Sequence, residues 1–204
     1  MDIHLPHTRY EKNRINLLRL LFLLLAPVIF VSRPFFDDTV TSEISEVLGL
    51  LFIISGILGR AWSILYIGGK KNISLITIGP YSMCRHPLYL FSTLAVMGFG
   101  LLLQSIVLTV VLTAVFGAAL AVNAMKEEAR LRAMFGDDYA DYARKTPAVL
   151  PAIGKFHTDN QVTFDADHLK SNFWDATVFV FLIPLAAIIE SVQDAGWIPT
   201  VPVY

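Results

Sequence analysis

The sequence predicts an all-α, polytopic helical membrane protein of about five transmembrane helices, arranged around a central helical hairpin. Three observations carry that prediction. Hydrophobic residues make up 55% of the 204 and charged residues 16%, against about 25% charged in a soluble domain, and the mean hydropathy is +0.59. Apolar runs of membrane-crossing length recur along the chain. Lysine and arginine gather in alternate connecting segments.

A bilayer crossing takes about 17–25 residues. The run "INLLRLLFLLLAPVIFV" covers 15–31, and a second run covers 44–67. Leu88–Met125 is too long for one crossing; it divides into antiparallel spans 88–103 and 105–125 at Leu103–Ser105, its least apolar point. Residues 173–191 supply the fifth span. Pro27 and Pro184 fall inside spans, where neighbouring helices can satisfy the freed carbonyls. All of 1–204 reads as a single membrane domain. With a cytoplasmic N-terminus, the segments Met1–Arg14, Gly68–Pro87 and Lys126–Asn172 fall inside and hold 13 of the 16 basic residues, in line with the positive-inside rule. Arg19 and Arg60 lie near cytoplasmic ends of spans, where their stems can snorkel, and Arg33 lies outside. Trp62 and Tyr66 fit an interfacial aromatic belt. In a prokaryote this places the chain in the inner or plasma membrane.

Composition also narrows the partners. A formal charge of −1 offers no basic surface for nucleic acid. Cys84 is the single cysteine, which rules out an intrachain disulfide and multi-thiolate metal sites. His4, His7, His157 and His168 lack metal-ligand spacing, so no metal is expected. No G-x-G-x-x-G turn follows a strand pattern, which argues against a soluble dinucleotide-type fold. No small-residue cleavage site follows the first apolar run before Pro34.

Two polar segments flank the hairpin. "GPYSMCRHPLYL", Gly79–Leu90, enters it, and "KEEARLRAMFGDDYADYARKTPAVLP", Lys126–Pro151, leaves it. An antiparallel hairpin brings its open ends together, so these segments are expected to be neighbours. Gly79-Pro80 reads as a turn and Pro87 as the first residue of the following helix. His86 then falls at the helix mouth, where free N–H groups favour an anion. Arg85 offers a fork suited to a carboxylate. A plainer reading makes Arg85 a positive-inside anchor and His86 a cap. Leu131, Met134, Phe135, Tyr139 and Tyr142 recur at helical spacing, which predicts an amphipathic helix on the bilayer surface, broken at Gly136. Glu128–Arg132 and Glu127–Arg130 can pair along it. Glu127 and Glu128 sit one turn past an apolar span, and a carboxylate that close to lipid usually has a partner or a job.

These paired motifs, "GPYSMCRHPLY" and "EEARLRAMFGDDYADYARKTPAVLP" around a hydrophobic hairpin, resemble the isoprenylcysteine carboxyl methyltransferase family, part of a wider group of membrane methyltransferases that includes phospholipid N-methyltransferases. The resemblance covers Ile73–Pro151. It implies an integral membrane enzyme dependent on S-adenosyl-L-methionine, with a cytoplasm-facing cofactor pocket built by the two segments. A lipid-like or prenylated substrate would enter from the bilayer. Carried over by position, Ile73, Ser74, Leu75, Ile76, Tyr81, His86, Pro87, Leu88 and Tyr89 line the cofactor site, and Glu127 closes it with Glu128 beside it. Arg85, His86 and Glu127 are the implied catalytic residues. Asn123 is the implied substrate position, where members acting on prenylated cysteine carry arginine. Carboxyl O-methylation of an isoprenylcysteine-type acceptor is the favoured reaction, with phospholipid-type N-methylation beside it.

Membrane sterol and enone reductases share the "RHP-x-Y" turn and a closing "FG…Y…Y…P" helix, and use a reduced nicotinamide cofactor. The Glu pair favours the methyltransferase. A non-catalytic membrane scaffold is a third reading. For methyl transfer, the rings of Tyr81 or Tyr89 could face a sulfonium cation, an interaction of roughly 0.5–2 kcal/mol. A carboxylate acceptor is ionised at neutral pH and needs no general base; an amine needs one, and His86 is a candidate.

Overall fold

The computed structural model describes residues 9–34, 39–68, 73–164, 166 and 178–203. Leucine- and isoleucine-rich runs become helices in chain order. Helix α1 (Arg9–Val31) runs through Pro27 into strand β1 (Ser32–Pro34), and α2 spans Thr39–Ile67. A single turn, α3 (Pro80–Met83), precedes α4 (Pro87–Leu102) and α5 (Ile106–Lys145). A 3-10 turn at Ile153–Lys155 and α6 (Leu182–Asp194) follow. The first residues of the predicted last span, 173–177, lie outside the described residues. Strand β2 (Val201–Val203) pairs in parallel with β1, Ser32 opposite Val201. This short ladder, which the sequence does not signal, ties the end of α1 to the segment after α6.

By length and composition α2 and α5 can each cross a bilayer, while Leu20–Val31 and α4 are apolar but shorter. The 16 residues of α4 extend about 24 Å at 1.5 Å per residue, short of a hydrocarbon core of about 30 Å. Helix α5 behaves differently from the expected span plus surface helix. Lys126–Phe135 continue α5 without interruption, because "KEEARLRAMF" is made largely of strong helix formers. The break comes at Gly136, with φ 53° and ψ −124°, a conformation that glycine adopts without a Cβ penalty.

Helices α2 and α4 approach closely along a seam of small residues, which lets backbones touch. A Cβ on Gly98 would lie 2.6 Å from the Gly49 carbonyl oxygen, and one on Gly56 would lie 2.7 Å from that of Phe91. Ser105 caps α5 by accepting from the Leu108 N–H at 3.2 Å, which closes the α4–α5 hairpin. Near that turn, Ile29, Phe99, Leu103, Leu108, Leu112, Phe116, Ala186 and Ile189 form one apolar cluster drawn from α1, the hairpin and α6. Buried Gln193 reaches from α6 and donates to the carbonyls of Phe30 and Ser32, each at 3.0 Å. It thereby caps an α1 terminus whose last carbonyls have no partner within the helix.

Candidate functional site

The segment that enters the hairpin is shaped by backbone constraints. Gly79 has φ 63°, and a Cβ there would strike the Tyr66 ring at 2.3 Å, so glycine is required. Pro80 opens α3, and Ser82 Oγ donates to the Gly79 carbonyl at 2.6 Å. The chain extends through Cys84 and re-enters helix at Pro87, with His86 as the N-cap. Every residue from Gly79 to Pro87 is buried except half-buried Arg85.

The segment that leaves the hairpin covers this turn. The N–H groups of Arg85 and His86 donate to the carbonyls of Pro147 (2.9 Å) and Ala148 (3.0 Å), that of Ala152 to Met83 (3.0 Å), and that of Gly79 to His157 (2.8 Å). The Tyr142 hydroxyl donates to the Tyr81 carbonyl at 2.7 Å. Tyr139, 0% exposed, meets the Tyr142 ring edge-on at 6.1 Å. Both tyrosines were expected to face lipid. The break at Gly136 instead lets them bury against the turn and shield its backbone polar groups. Burial raises the hydroxyl pKa of Tyr81, Tyr139 and Tyr142 above the ordinary tyrosine range and pushes the Cys84 thiol up to about 11.

Between the two segments the side chains converge. Glu128 Oε1 lies 2.9 Å from Arg85 Nη1 and 3.0 Å from His86 Nε2. The Tyr89 hydroxyl donates to Glu127 Oε2 at 2.9 Å. The rings of His86 and Tyr89 stack with centroids 5.6 Å apart. Each glutamate therefore has its own holder, and Glu128 turns across the hairpin mouth to Arg85 instead of along its own helix to Arg132. Pro87 is buried and Leu88 half-buried. Asn123, 4% exposed, sits one turn before Glu127 on α5. Ile73 (78% exposed) and Ser74 lie on the surface, with Leu75 and Ile76 half-buried. The structure thus gathers Arg85, His86, Tyr89, Glu127 and Glu128 into one cluster, with Tyr81 and Asn123 buried beside it.

One neighbour escaped the sequence reading. Arg60 Nη1 donates to Ser92 Oγ at 2.5 Å and to the Leu88 carbonyl at 3.5 Å, and its guanidinium lies 5.4 Å from the Phe179 ring centroid. A lone arginine inside a span, facing a serine on the next helix, was the available signal. The Tyr81 hydroxyl is buried with no hydrogen-bond partner and feels both Glu127 and Arg60. Such a group costs about 1–3 kcal/mol, a cost that a bound polar ligand removes. Among the described residues, no group of three or more His, Cys, Asp or Glu side chains could hold a metal ion.

Residues 44–138 match the phospholipid methyltransferase family, a stretch that takes in the turn, the hairpin and the Glu pair. The chain is 30% identical to the nickel-cobalt-cadmium resistance protein NccN of Alcaligenes xylosoxydans xylosoxydans, over 93% of this chain and 88% of that one. It is 31% identical to the cobalt-zinc-cadmium resistance protein CzcN of Cupriavidus metallidurans, over 91% and 85% of the two chains. Over 41% of this chain and 36% of the other, it is 34% identical to the protein-S-isoprenylcysteine O-methyltransferase of Schizosaccharomyces pombe. No solved structure matches the chain.

Proposed function

The chain belongs to the family of NccN and CzcN, within the membrane methyltransferases of the phospholipid and isoprenylcysteine type, and from that premise we propose that it is an S-adenosyl-L-methionine-dependent methyltransferase acting on a lipid-like acceptor. The observation that carries the proposal is the convergence of Arg85, His86 and Tyr89 on Glu128 and Glu127 at the open end of the hairpin.

The residues present suit the cofactor. Glu127, oriented by Tyr89, is placed to accept from an ammonium or a ribose hydroxyl. The unpartnered Tyr81 hydroxyl supplies a further polar contact. Arg85 and His86 hold Glu128, and the buried Nε–H of Arg85, which has no partner, is a donor that a carboxylate can use. In this reading Leu75, Ile76, Pro87 and Leu88 would form the apolar wall of the cup, with Ile73 and Ser74 at the rim. When bound, S-adenosyl-L-methionine supplies a methyl group on a cationic sulfur. The chain's own part is to hold donor and acceptor in contact and to exclude water through the buried turn and the tyrosines that cover it. A dry site favours a step in which opposite charges neutralise.

The reading has five spans, with the N-terminus and the site in the cytoplasm. The distribution of basic residues supports it. In this reading the turn lies near the cytoplasmic boundary of the bilayer, where an acceptor can keep its tail in lipid. Carboxyl O-methylation of an isoprenylcysteine-type acceptor is favoured because it needs no base at this site; a phospholipid amine would draw on His86 as base.

Calorimetric titration of the purified protein tests this. S-adenosyl-L-methionine should give heat of binding and reduced nicotinamide cofactor none. Heat with the nicotinamide alone would move the chain to the membrane reductases, and heat with neither would leave a scaffold. Glu127→Gln and His86→Ala should each weaken binding about tenfold, the worth of one charge-assisted hydrogen bond, while the thermal unfolding transition remains cooperative.

A further inference from the structure

The segment that follows α5 leaves large apolar side chains uncovered beside the site. Leu150 is 81% exposed, Ile153 74% and Phe156 46%. Their backbone is tied down: the Ala152 N–H donates to the Met83 carbonyl at 3.0 Å, and the Phe156 N–H to that of Ile153 at 3.1 Å. The loop therefore presents these side chains outward by construction. An exposed apolar patch among polar residues marks an interaction surface. We propose that residues 149–156 form a lipid-docking loop, which enters the bilayer at the boundary between headgroups and acyl chains while Lys145 and Lys155 meet anionic headgroups.

The proposal rests on α2 crossing the bilayer and not on the methyltransferase reading. Helix α2 serves as the depth gauge. Its 29 residues extend about 43 Å, close to the thickness of about 40–45 Å of a bilayer with its headgroups. The end of α2 at Ile67 then lies at the outer edge of the headgroup layer. The Phe156 ring packs on that of Trp62 with centroids 5.9 Å apart. Trp62 lies five residues before the end of α2, about 7.5 Å further in, and helical side chains tilt toward the N-terminus, which carries its ring deeper still. From there the chain rises toward water, since Thr158 Oγ1 meets the Tyr66 hydroxyl at 3.0 Å in the last turn of α2. Phe156 thus sits at the level where tryptophan collects in membrane proteins, with Leu150 and Ile153 on the same loop. Charge agrees with that placement. From Tyr142 to Thr158 the chain holds no acidic residue. Arg144 is paired with Asp141, but Lys145 and Lys155 are exposed, and Lys155 Nζ donates to the Lys145 carbonyl. Ammonium groups at this level attract anionic lipid. A second copy of the chain, docked by two-fold symmetry, would oppose the same lysines with like charge. The loop also covers the site, because Pro147 and Ala148 just before it accept from the N–H groups of Arg85 and His86; lipid contact would hold that cover at the bilayer surface.

The test attaches a single nitrobenzoxadiazole label to Leu150→Cys, to Ile153→Cys or, as a control, to Asp138→Cys, each in a Cys84→Ala background. Where Cys84→Ala does not fold, native Cys84 is kept, since it is buried and the unsubstituted chain should take no label. The full chain is held in nanodiscs of equal parts phosphatidylcholine and phosphatidylglycerol. Nitroxide carried on the lipid should quench the labels at 150 and 153 several-fold more than the label at 138, and aqueous iodide should quench them several-fold less. Nitroxide on phosphatidylglycerol should quench the label at 153 about fivefold more than nitroxide on phosphatidylcholine, the worth of one lysine near an anionic surface. Lys145→Gln combined with Lys155→Gln should bring that ratio to one. Iodide quenching at 150 and 153 equal to that at 138 would put the loop in water and overturn the docking. Labels reached by neither quencher would mean that protein, such as a second copy, covers the loop, and would overturn it equally. A ratio of one with both lysines present would overturn anionic lipid as the partner. Calorimetric titration of the same preparation with S-adenosyl-L-methionine separates the claims. Lipid quenching without cofactor binding sinks the methyltransferase reading alone, and cofactor binding with a loop in water sinks the docking alone.

Discussion

At the turn end of the α4–α5 hairpin, Phe99, Leu103, Leu108 and Leu112 pack with Ile29 of α1 and Ile189 of α6. At the open end of the same hairpin, Arg85, His86 and Tyr89 meet the two glutamates, and four backbone hydrogen bonds lace the entering segment to the leaving one. The first end is held by many weak, non-directional contacts that depend on shape. The second is held by few directional contacts that depend on the identity of each atom. A mutation at the turn end should therefore cost stability and leave chemistry alone, and a mutation at the open end should do more of the reverse.

The sharpest break of that comparison lies on the seam that serves both ends. Gly98→Val places carbon 2.6 Å from the Gly49 carbonyl oxygen, and backbone cannot yield as a side chain can. Loss of monodisperse folded protein on size-exclusion chromatography is the expected result. Next in size, Leu112→Ala should destabilise by about 2–4 kcal/mol through the cavity it leaves. Its affinity for S-adenosyl-L-methionine should stay within twofold of wild type, and a larger change would show the two ends to be coupled. Glu128→Ala leaves Arg85 and His86 facing each other without their carboxylate. With the Arg85 and Glu128 side chains 15% and 22% exposed, water screens part of the loss, and about 1–2 kcal/mol is expected in thermal melts.

The smallest effect is a pH dependence. The Cys84 thiol is raised from 9.0 to about 11 in the fold, chiefly by burial. The folded chain keeps a proton that the unfolded chain gives up, so the contribution to stability is whole below pH 9.0 and is lost as pH rises to about 11. Cys84→Ala should flatten the fall in melting temperature across that window. The buried tyrosines, also raised, account for the decline that remains from pH 10.0 upward, which overlaps the upper half of that window.

The sequence made some of this readable and hid the rest. The apolar run from Leu88 to Met125 interrupted by Gln104 and Ser105 signals a hairpin, and a hairpin alone brings the Arg85-His86 turn near the Glu pair. The break at Gly136 was also legible, since a lone glycine in a helix-forming stretch marks the weakest point. Tyr139 and Tyr142 misled because helical periodicity reports that a face is apolar and says nothing of what covers it. Lipid and a buried turn accept the same tyrosine side chains. Arg60 was legible only in part: its place near a span end permits snorkelling, and only the neighbouring helix shows that Nη1 meets Ser92.

What the sequence determined by itself is local: which stretches must be helical, where they stop, and that two polar segments share one end of a hairpin. Those outcomes follow from runs of neighbours along the chain and from the need of backbone groups in lipid to bond within their own helix. The tertiary structure decided the pairings, Glu128 with Arg85 and His86, Glu127 with Tyr89, Arg60 with Ser92, and Gln193 with the end of α1. Successive residues on a helix point about 100° apart, so turning α5 by about that angle against α4 would exchange one glutamate for the other. Rotation is fixed by the whole packed surface, including the glycine seam of α2, and no single segment of sequence contains it.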